Sequence, residues 1–282
     1  MVYEYTNMRS MSKRTKSKVN LLEEALPEGL LVDAAWLAKR GYSTSLRSQY
    51  VASGRLEQPA RRVYRRARGP LSWQQVVVSL QSLLEYPMVV GGRTALELQG
   101  FAHYLTTNIR EVHLYSTKPP PTWLKNLSVS ARFVWHNDGR LFRNETAAKE
   151  LARKNADTGL DSGLSIRTWG EGDRSLLLSA PERAILELLD ELPKRESFEQ
   201  VDKLMANMPT LSPRRLQTLL DDCHNVKVKR LFFFFADRHK HAWLKRLDKK
   251  AVDLGTGKRM LVKGGKLDAR YQITVPEDLN VL

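Results

Sequence analysis

The sequence predicts an α+β fold in which an N-terminal winged helix-turn-helix is followed by a larger mixed α/β domain. Two observations lead to this prediction. Residues 31–68 contain two short helical segments around a glycine-containing turn, followed by two short strand runs. From residue 87 onward, short apolar or alternating runs stand between amphipathic helices. The predicted domains are residues 19–86 and 87–282, after a mobile basic start over residues 1–18.

Capping residues define the helix-turn-helix. Asp33 is a suitable N-cap for a helix over residues 34–40. Gly41 can end that helix in a left-handed conformation, and Ser43 or Thr44 can cap the next one. The sequence therefore predicts two short helices joined by a tight turn, as in DNA-binding helix-turn-helix units.

The second helix, over residues 44–53, has an apolar inner face and a polar outer face. Leu46 and Tyr50 lie one turn apart and are expected to point inward. The remaining polar residues are expected to point outward and are of the kinds that contact DNA bases: Ser45, Arg47, Ser48 and Gln49.

Two short strands over residues 56–60 and 63–66 are predicted to form a wing. Pro59 is tolerated near the edge of such a ribbon. Arg61 and Arg62 fall at or near the tip between the strands, so the wing is expected to present cations.

Positive charge is concentrated in this region. Residues 36–70 contain nine lysines and arginines and one acid, Glu57. Such a cluster attracts phosphate and indicates nucleic-acid binding. The predicted DNA contacts are Thr44, Ser45, Arg47, Ser48 and Gln49 in the major groove, and Arg61, Arg62 and Arg65 on phosphates or in the minor groove. Arg47 is the first choice for a base contact. The alternative is a protein-docking module with a solvated basic face.

The composition of the whole chain fits a DNA-binding protein without proving it. The 282 residues carry a net charge of +15 and a pI near 9.9, which favour a polyanionic partner but do not separate DNA, RNA, a membrane surface or an acidic protein. One cysteine, Cys223, fits a reducing compartment. The start has no signal-peptide apolar region and no later run reaches membrane-spanning length, so a cytoplasmic protein is expected.

The other elements follow from periodicity and caps. In the first domain, helices are predicted over residues 16–26 and after Ser72, where Gln75 can complete a capping box. In the second domain, strands are predicted at residues 88–90, 109–115, 129–135, 165–169 and 175–178, and helices at residues 93–99, 145–155, 198–206 and 213–222. A further helix begins at Pro181. Residues 165–178 are expected to form a hairpin, and residues 252–275 a small antiparallel finish.

The segment VKVKRLFFFFA, residues 226–236, fits both a buried strand and a buried helix. We favour a helix because its apolar positions continue in helical spacing beyond the segment. Those positions are Leu231, Phe234, Phe235, Trp243, Leu244 and Leu247.

No segment has the pattern of a catalytic, cofactor or metal site. The run from Gly255 to Lys258 is followed by Arg259 instead of the Ser or Thr that completes a phosphate-binding loop. Neither Cys223 with His224 nor the histidines at 239 and 241 have zinc-ligand spacing. We therefore expect no cofactor, no metal and no enzyme activity.

The rival prediction is a nucleic-acid-processing enzyme. Acid pairs occur at Glu182 with Asp190 and at Asp221 with Asp222, on helices with ordinary surface charge. A nuclease that assembles carboxylates and lysines from distant strands would not show in sequence spacing, so this alternative stays open.

Five segments together resemble a known family over nearly the full chain. They are WLAKRGYSTSLRSQYVASGRL with the following RRVYRR, GGRTALELQGFAHYL, SAPERAILELLDELP, VKVKRLFFFFADRHKHAWLKRL, and the ending GTGKR…YQITVP. In their arrangement they resemble the AbiEi-type antitoxins of bacterial type IV, abortive-infection toxin-antitoxin systems. None of the five is a catalytic signature.

The resemblance implies a bacterial transcriptional repressor with an N-terminal winged helix and a C-terminal antitoxin domain. Family members repress their own operon by binding inverted repeats, and they act against a co-encoded nucleotidyltransferase-like toxin without requiring a stable complex. The family's wing usually has a glycine before its final strand, where this chain has Arg61 and Arg62. We expect the two functions to divide near residues 84–88.

A second basic concentration lies far downstream in the chain. Its representative residues are Lys245, Arg246, Lys249, Lys258 and Arg259. It can extend the DNA footprint, bind an RNA that the toxin modifies, or be a solvated face of a basic protein. The sequence does not separate these alternatives.

Overall fold

The structure is a computed structural model that describes residues 17–101, 109–144, 163–169 and 174–280. Three predictions lie outside the described residues: the mobile character of the first 16 residues, the helix over residues 145–155, and the hairpin turn at residues 170–173.

The N-terminal domain has the predicted winged helix-turn-helix arrangement. Its helices are α1 (Lys18–Ala25), α2 (Ala34–Lys39), α3 (Thr44–Ala52) and α4 (Trp73–Ser82), and its strands are β1 (Leu31–Asp33), β2 (Glu57–Ala60) and β3 (Val63–Arg65). The strands form an antiparallel sheet in the order β1-β3-β2. The sequence did not predict β1, because three residues show no periodicity and their extended conformation depends on pairing with β3.

Helix α4 begins with the predicted capping box. The Ser72 hydroxyl accepts from the Gln75 amide at 3.3 Å, and the Gln75 side chain accepts from the Ser72 amide at 2.9 Å. Nearly every side chain of the helix is buried, including Ser79 and Gln81 as well as the apolar stripe. A helix buried on all sides lies between other layers of a protein, not on its surface.

Those layers are the three-stranded sheet of the N-terminal domain and the five-stranded sheet of the second domain. On the N-terminal side, the Leu31 amide of β1 donates to the Ser79 hydroxyl at 2.9 Å. On the other side, the Gln81 amide group donates to the carbonyls of Met88 at 3.0 Å and Leu177 at 2.9 Å, and accepts from the Leu177 amide at 3.0 Å. Buried side chains of both domains belong to one continuous hydrophobic core.

The second domain is built on a mixed five-stranded sheet. Its strands are β4 (Val89–Val90), β5 (Glu111–Tyr115), β6 (Arg132–His136), β7 (Leu164–Thr168) and β8 (Ser175–Ser179), in the order β6-β5-β4-β8-β7. Strands β5 and β6 run parallel, as do β4 and β8, while the other two pairs are antiparallel. The predicted β7–β8 hairpin pairing is confirmed.

Five helices accompany this sheet in the described residues of the second domain, and the first two of them pack against it. They are α5 (Gly92–Leu98), α6 (Pro181–Asp190), α7 (Phe198–Ala206), α8 (Pro213–Asp222) and α9 (Val226–His239), with 3-10 segments at Thr122–Asn126, Asp138–Arg140, Ala242–Arg246 and Glu277–Asn280. The phenylalanine-rich segment is a helix, as favoured, and Phe232, Phe233 and Phe235 are fully buried. The helix ends at His239, so the expectation that its spacing continues to Trp243, Leu244 and Leu247 is wrong; those residues belong to the separate 3-10 segment and its end. The chain ends in an antiparallel pair, β9 (Lys266–Asp268) and β10 (Ile273–Val275).

Two glycines at the start of α5 allow a buried charge cluster to form. A side chain at Gly91 would collide with Glu187 and Tyr115, and Gly92 adopts a φ of 50°. The Gly92 amide donates to Glu187 at 2.8 Å, and Arg183, which is fully buried, donates to the same carboxylate at 2.8 Å. Burial raises the pKa of Glu187, and Arg183 opposes that rise. The GGRT segment is thereby explained by packing.

Candidate nucleic-acid interface

The helix-turn-helix forms with the predicted caps. The Asp33 carboxylate accepts from the Trp36 amide at 2.8 Å and begins α2. Gly41 has a φ of 81° in the turn, which is the left-handed conformation expected there. The Ser43 hydroxyl accepts from the Leu46 amide at 3.3 Å, so Ser43 is the N-cap of α3.

Helix α3 presents a polar outer face. Thr44, Ser45, Ser48 and Gln49 are exposed, whereas Tyr50 is buried and Leu46 is half-buried. The exposed side chains offer hydroxyl and amide groups, which can donate to and accept from base edges in a major groove. Four of the five predicted major-groove residues are therefore exposed, and their contact with DNA stays a prediction.

Arg47 is the exception, and the prediction that it points outward is wrong. Its side chain is 8% exposed. The guanidinium donates to the Ala34 carbonyl at 2.9 Å, the Ser43 carbonyl at 3.3 Å and the Thr44 hydroxyl at 2.8 Å. Arg47 therefore joins the start of α2 to the start of α3. Its position three residues before the buried Tyr50 is the sequence signal that indicates an inward face.

The wing presents two arginines at its tip. Arg61 and Arg62 are exposed between β2 and β3. Arg62 adopts a left-handed conformation with a φ of 63°, which glycine adopts without strain. Its carbonyl accepts from the Ala34 amide at 2.8 Å, which fixes the wing tip to the first residue of α2.

Arg65, also predicted to contact DNA, is turned into the protein. It is 6% exposed and donates to Glu57 across the two wing strands at 2.8 Å and to the Gly69 carbonyl at 2.8 Å. The expectation that it reaches a phosphate is wrong for this conformation, because its guanidinium holds the wing together. β3 is the central strand of its sheet, and all three of its side chains are buried.

The second basic concentration is presented differently. Lys245 and Arg246 are exposed on the 3-10 segment Ala242–Arg246, and Lys258 and Arg259 are exposed in the loop that follows it in the chain. Lys249 forms an ion pair with Asp237 and lies over a buried phenylalanine ring.

The glycine-rich part of this loop is held by one buried arginine. Arg230 of α9 donates to the carbonyls of Leu254 at 2.7 Å, Gly255 at 3.1 Å and Gly257 at 2.6 Å. These contacts join two of the segments that carry the family resemblance, VKVKRLFFFFADRHKHAWLKRL and GTGKR. They also assign the glycines to loop geometry, as the missing phosphate-loop pattern implies.

Sequence reasoning missed a chain of buried and half-buried polar groups. Glu191 lies 2.9 Å from one ring nitrogen of His136, whose other ring nitrogen is 2.8 Å from His113. His113 borders a cleft of about 610 Å³ that includes Arg93 and Arg132. Burial, followed by the neighbouring His136, lowers the pKa of His113 to about 4. No sequence spacing indicates this cluster, because the parallel pairing of β5 and β6 brings the histidines together.

The carboxylates considered for a nuclease have protein partners. Glu182 accepts from Arg215 at 2.7 Å and from the Ser212 amide at 2.7 Å, and Asp190 accepts from Asn225 at 2.9 Å. In the described parts of the chain, no group of three or more His, Cys, Asp or Glu side chains is arranged to hold a metal ion. None of the helices described there is long and apolar enough to cross a membrane.

Comparison with known proteins covers both domains. Residues 15–107 match the family model of the AbiEi antitoxin N-terminal domain, and residues 110–276 match that of the transcriptional regulator, AbiEi antitoxin, type IV toxin-antitoxin system. The crystal structure of RV2827C protein from Mycobacterium tuberculosis shares the fold, with a TM-score of 0.52 and 16% identity over 90% of this chain and 88% of that one. No curated protein matches the sequence. The chain belongs to the AbiEi antitoxin transcriptional regulators of type IV toxin-antitoxin systems.

Proposed function

We propose that this antitoxin binds its own operator through α3 and the wing and represses its own transcription. The observation that supports this most directly is the row of exposed polar residues on α3 together with two exposed arginines at the wing tip. A helix with this outer face fits a major groove, and wing cations fit the adjacent backbone or minor groove. Inverted repeats would then position two copies of the chain.

The residues divide into two roles. Ser45, Ser48 and Gln49 contact base edges, and a glutamine amide suits the paired donor and acceptor of adenine. Arg61 and Arg62 contact phosphates and supply affinity that does not depend on sequence. Arg47 leaves the first group and becomes the residue that positions α3.

The test is a footprint of the full chain on the DNA immediately upstream of its gene, followed by titration of operator and random duplexes. Gln49→Ala should lose about 1–3 kcal/mol on the operator and little on random DNA. Arg61→Ala should weaken both duplexes alike and lower the salt dependence by about one contact. Equal losses on both duplexes for both variants would contradict the division of roles.

We propose further that the second domain antagonises a co-encoded nucleotidyltransferase-like toxin without forming a stable complex with it. Family membership supports this assignment. That DNA binding and toxin antagonism divide near residues 84–88 stays a prediction. Because α4 contacts both domains, point variants of the full chain separate the functions more cleanly than fragments do.

An Arg61→Ala/Arg62→Ala double variant should lose operator repression and still rescue cells that express the toxin. Loss of rescue by this folded variant would show that antagonism depends on DNA binding. A fragment over residues 87–282 that folds and rescues would support the division independently, whereas rescue by residues 1–86 alone would contradict it.

We also propose that the protein acts as a regulator and not as an enzyme. The purified chain, incubated with DNA, RNA and nucleotides in magnesium or manganese, should leave all of them intact. Metal-dependent cleavage that disappears with a single acidic substitution, such as Asp222→Asn, would instead establish the nuclease alternative.

A further inference from the structure

The wing tip faces a second wall that belongs to the other domain. A cleft of about 650 Å³ lies between them, and we call it the wing cleft. One wall is the wing tip and the start of α2, and the other is the 3-10 segment Thr122–Asn126. The lining residues are Asp33, Ala34, Ala35, Arg61, Arg62, Thr122, Trp123, Lys125 and Asn126.

The wing cleft is positively charged. Arg61 and Arg62 are exposed on one wall and Lys125 on the other. The acid in its lining, Asp33, uses a carboxylate oxygen to cap α2 through the Trp36 amide at 2.8 Å. Three cations converge on one space, so the cleft attracts an anionic ligand.

Both walls are held in place. The wing tip is fixed by the bond between the Ala34 amide and the Arg62 carbonyl. The opposite segment follows three prolines and is anchored by buried Leu124 and Leu127 on either side of Lys125. A prearranged pair of walls loses little conformational freedom when a ligand enters.

The remaining lining suits a sugar-phosphate strand more than a base pair. Thr122 and Asn126 are exposed and offer hydroxyl and amide groups, and Trp123 is half-buried beside them. Hydroxyl and amide side chains are common donors to phosphate oxygens in protein–DNA complexes. The cleft also begins at the wing tip, where the DNA backbone passes in the proposed complex.

We propose that one strand of operator DNA passes through the wing cleft, so that its phosphates contact the wing arginines and Lys125 of the second domain together. This inference rests on the proposed function and extends it, because the second domain then contributes directly to DNA affinity. The contact is to the backbone and is therefore independent of base sequence.

The test compares three variants of the full chain by titrating a labelled duplex of the upstream DNA and a random duplex of equal length. Lys125→Ala removes the proposed contact, and Lys125→Arg keeps its charge. Lys118→Ala is the matched control. Lys118 is exposed in the same segment between β5 and β6, but it does not line the wing cleft.

Lys125→Ala should weaken both duplexes by the same factor and lower the slope of log affinity against log salt by about 0.9. Its loss of affinity between 50 and 200 mM salt should accordingly be about 3.5-fold smaller than that of the unmodified protein. Lys125→Arg and Lys118→Ala should both match the unmodified chain.

The inference fails if Lys125→Ala matches the unmodified chain, or if Lys118→Ala produces the same loss. In either case, operator binding through α3 and the wing would stand. If the unmodified chain shows no preference for the upstream duplex, the proposed function fails instead. A loss confined to the upstream duplex would also overturn the inference, because it would indicate a base contact.

Discussion

The two domains differ in whether their polar side chains are exposed or buried. The N-terminal domain exposes it, with hydroxyl and amide groups along α3 and two arginines at the wing tip. The second domain buries much of it, in the Arg183–Glu187 pair, the His113–His136 pair and the contacts of Arg230. Exposed groups are available to a ligand, whereas the buried groups hold the fold together.

Arg47 and Arg65 are the informative exceptions within the first domain. Both belong to its basic cluster by sequence, and both are buried and donate hydrogen bonds inside the protein. A count of cations along the chain therefore overstates the charge available to DNA. Buried and exposed arginines can be distinguished by substitutions, because the former should change stability and the latter DNA binding.

The largest effect is expected for Arg183→Ala. The change leaves two buried carboxylates, Glu187 and Asp138, without their shared cation, so we expect a loss of about 3–5 kcal/mol in the free energy of unfolding. Urea denaturation measures it. Arg195→Ala, at an exposed position, should change stability by less than about 0.5 kcal/mol. Similar losses for the two variants would contradict a structural role for the buried cluster.

His113 should make the stability of the second domain depend on pH. Its folded pKa near 4 lies below the ordinary value of 6.5, so the unfolded chain binds the proton first as pH falls. The free energy of unfolding that neutral His113 adds is fully present above about pH 6.5 and is lost as pH falls towards 4. Between pH 7.5 and 5, the loss should be roughly 2 kcal/mol.

Comparison of the unmodified chain with His113→Gln isolates this contribution, because other groups titrate in both proteins. The difference between their unfolding free energies should narrow as pH falls through this window. A difference that stays constant from pH 7.5 to 5 would show that His113 binds its proton equally well in both states.

Arg47→Ala should lose about 2–3 kcal/mol of stability, because it removes one hydrogen bond to the Ala34 carbonyl of α2 and two at the start of α3. Operator and random DNA should be affected alike at temperatures where the variant is folded. Arg61→Ala is the control and should leave the unfolding midpoint unchanged. Normal stability with relaxed preference at one base pair would restore Arg47 as a base contact.

The smallest effects are expected for Arg62→Gly, which should raise stability and lower DNA affinity. Glycine tolerates the left-handed conformation of this residue, so the fold should gain about 0.5–1 kcal/mol. DNA affinity should fall because a cation leaves the wing tip. Arg62→Ala should show the second effect without the first. Parallel changes in stability and affinity for Arg62→Gly would contradict the role assigned to the tip.

Local chemistry made much of the fold predictable. The capping box of Ser72 and Gln75, the N-cap at Asp33 and the phenylalanine helix all follow from residues close in sequence. The burial of Arg65 was missed for a long-range reason. With two wing strands, β3 is an edge strand, but pairing with the unpredicted β1 makes it central.

The candidate site was predictable only where one helix defines it. The outer face of α3 follows from helical spacing around Tyr50, and the same spacing, applied to Arg47, also gives its inward position. The wing cleft is different, because Arg62 and Lys125 are brought together by the packing of two domains. No local pattern in either segment indicates the other.

The position of α4 has a consequence for the inheritance of this protein. Gln81 supplies both the donor and the acceptor that β8 needs at Leu177, while Ser79 serves β1. A recombinant that joined the first domain of one relative to the second domain of another would have to match both faces of this helix at once. The two domains are therefore expected to be inherited together as one unit.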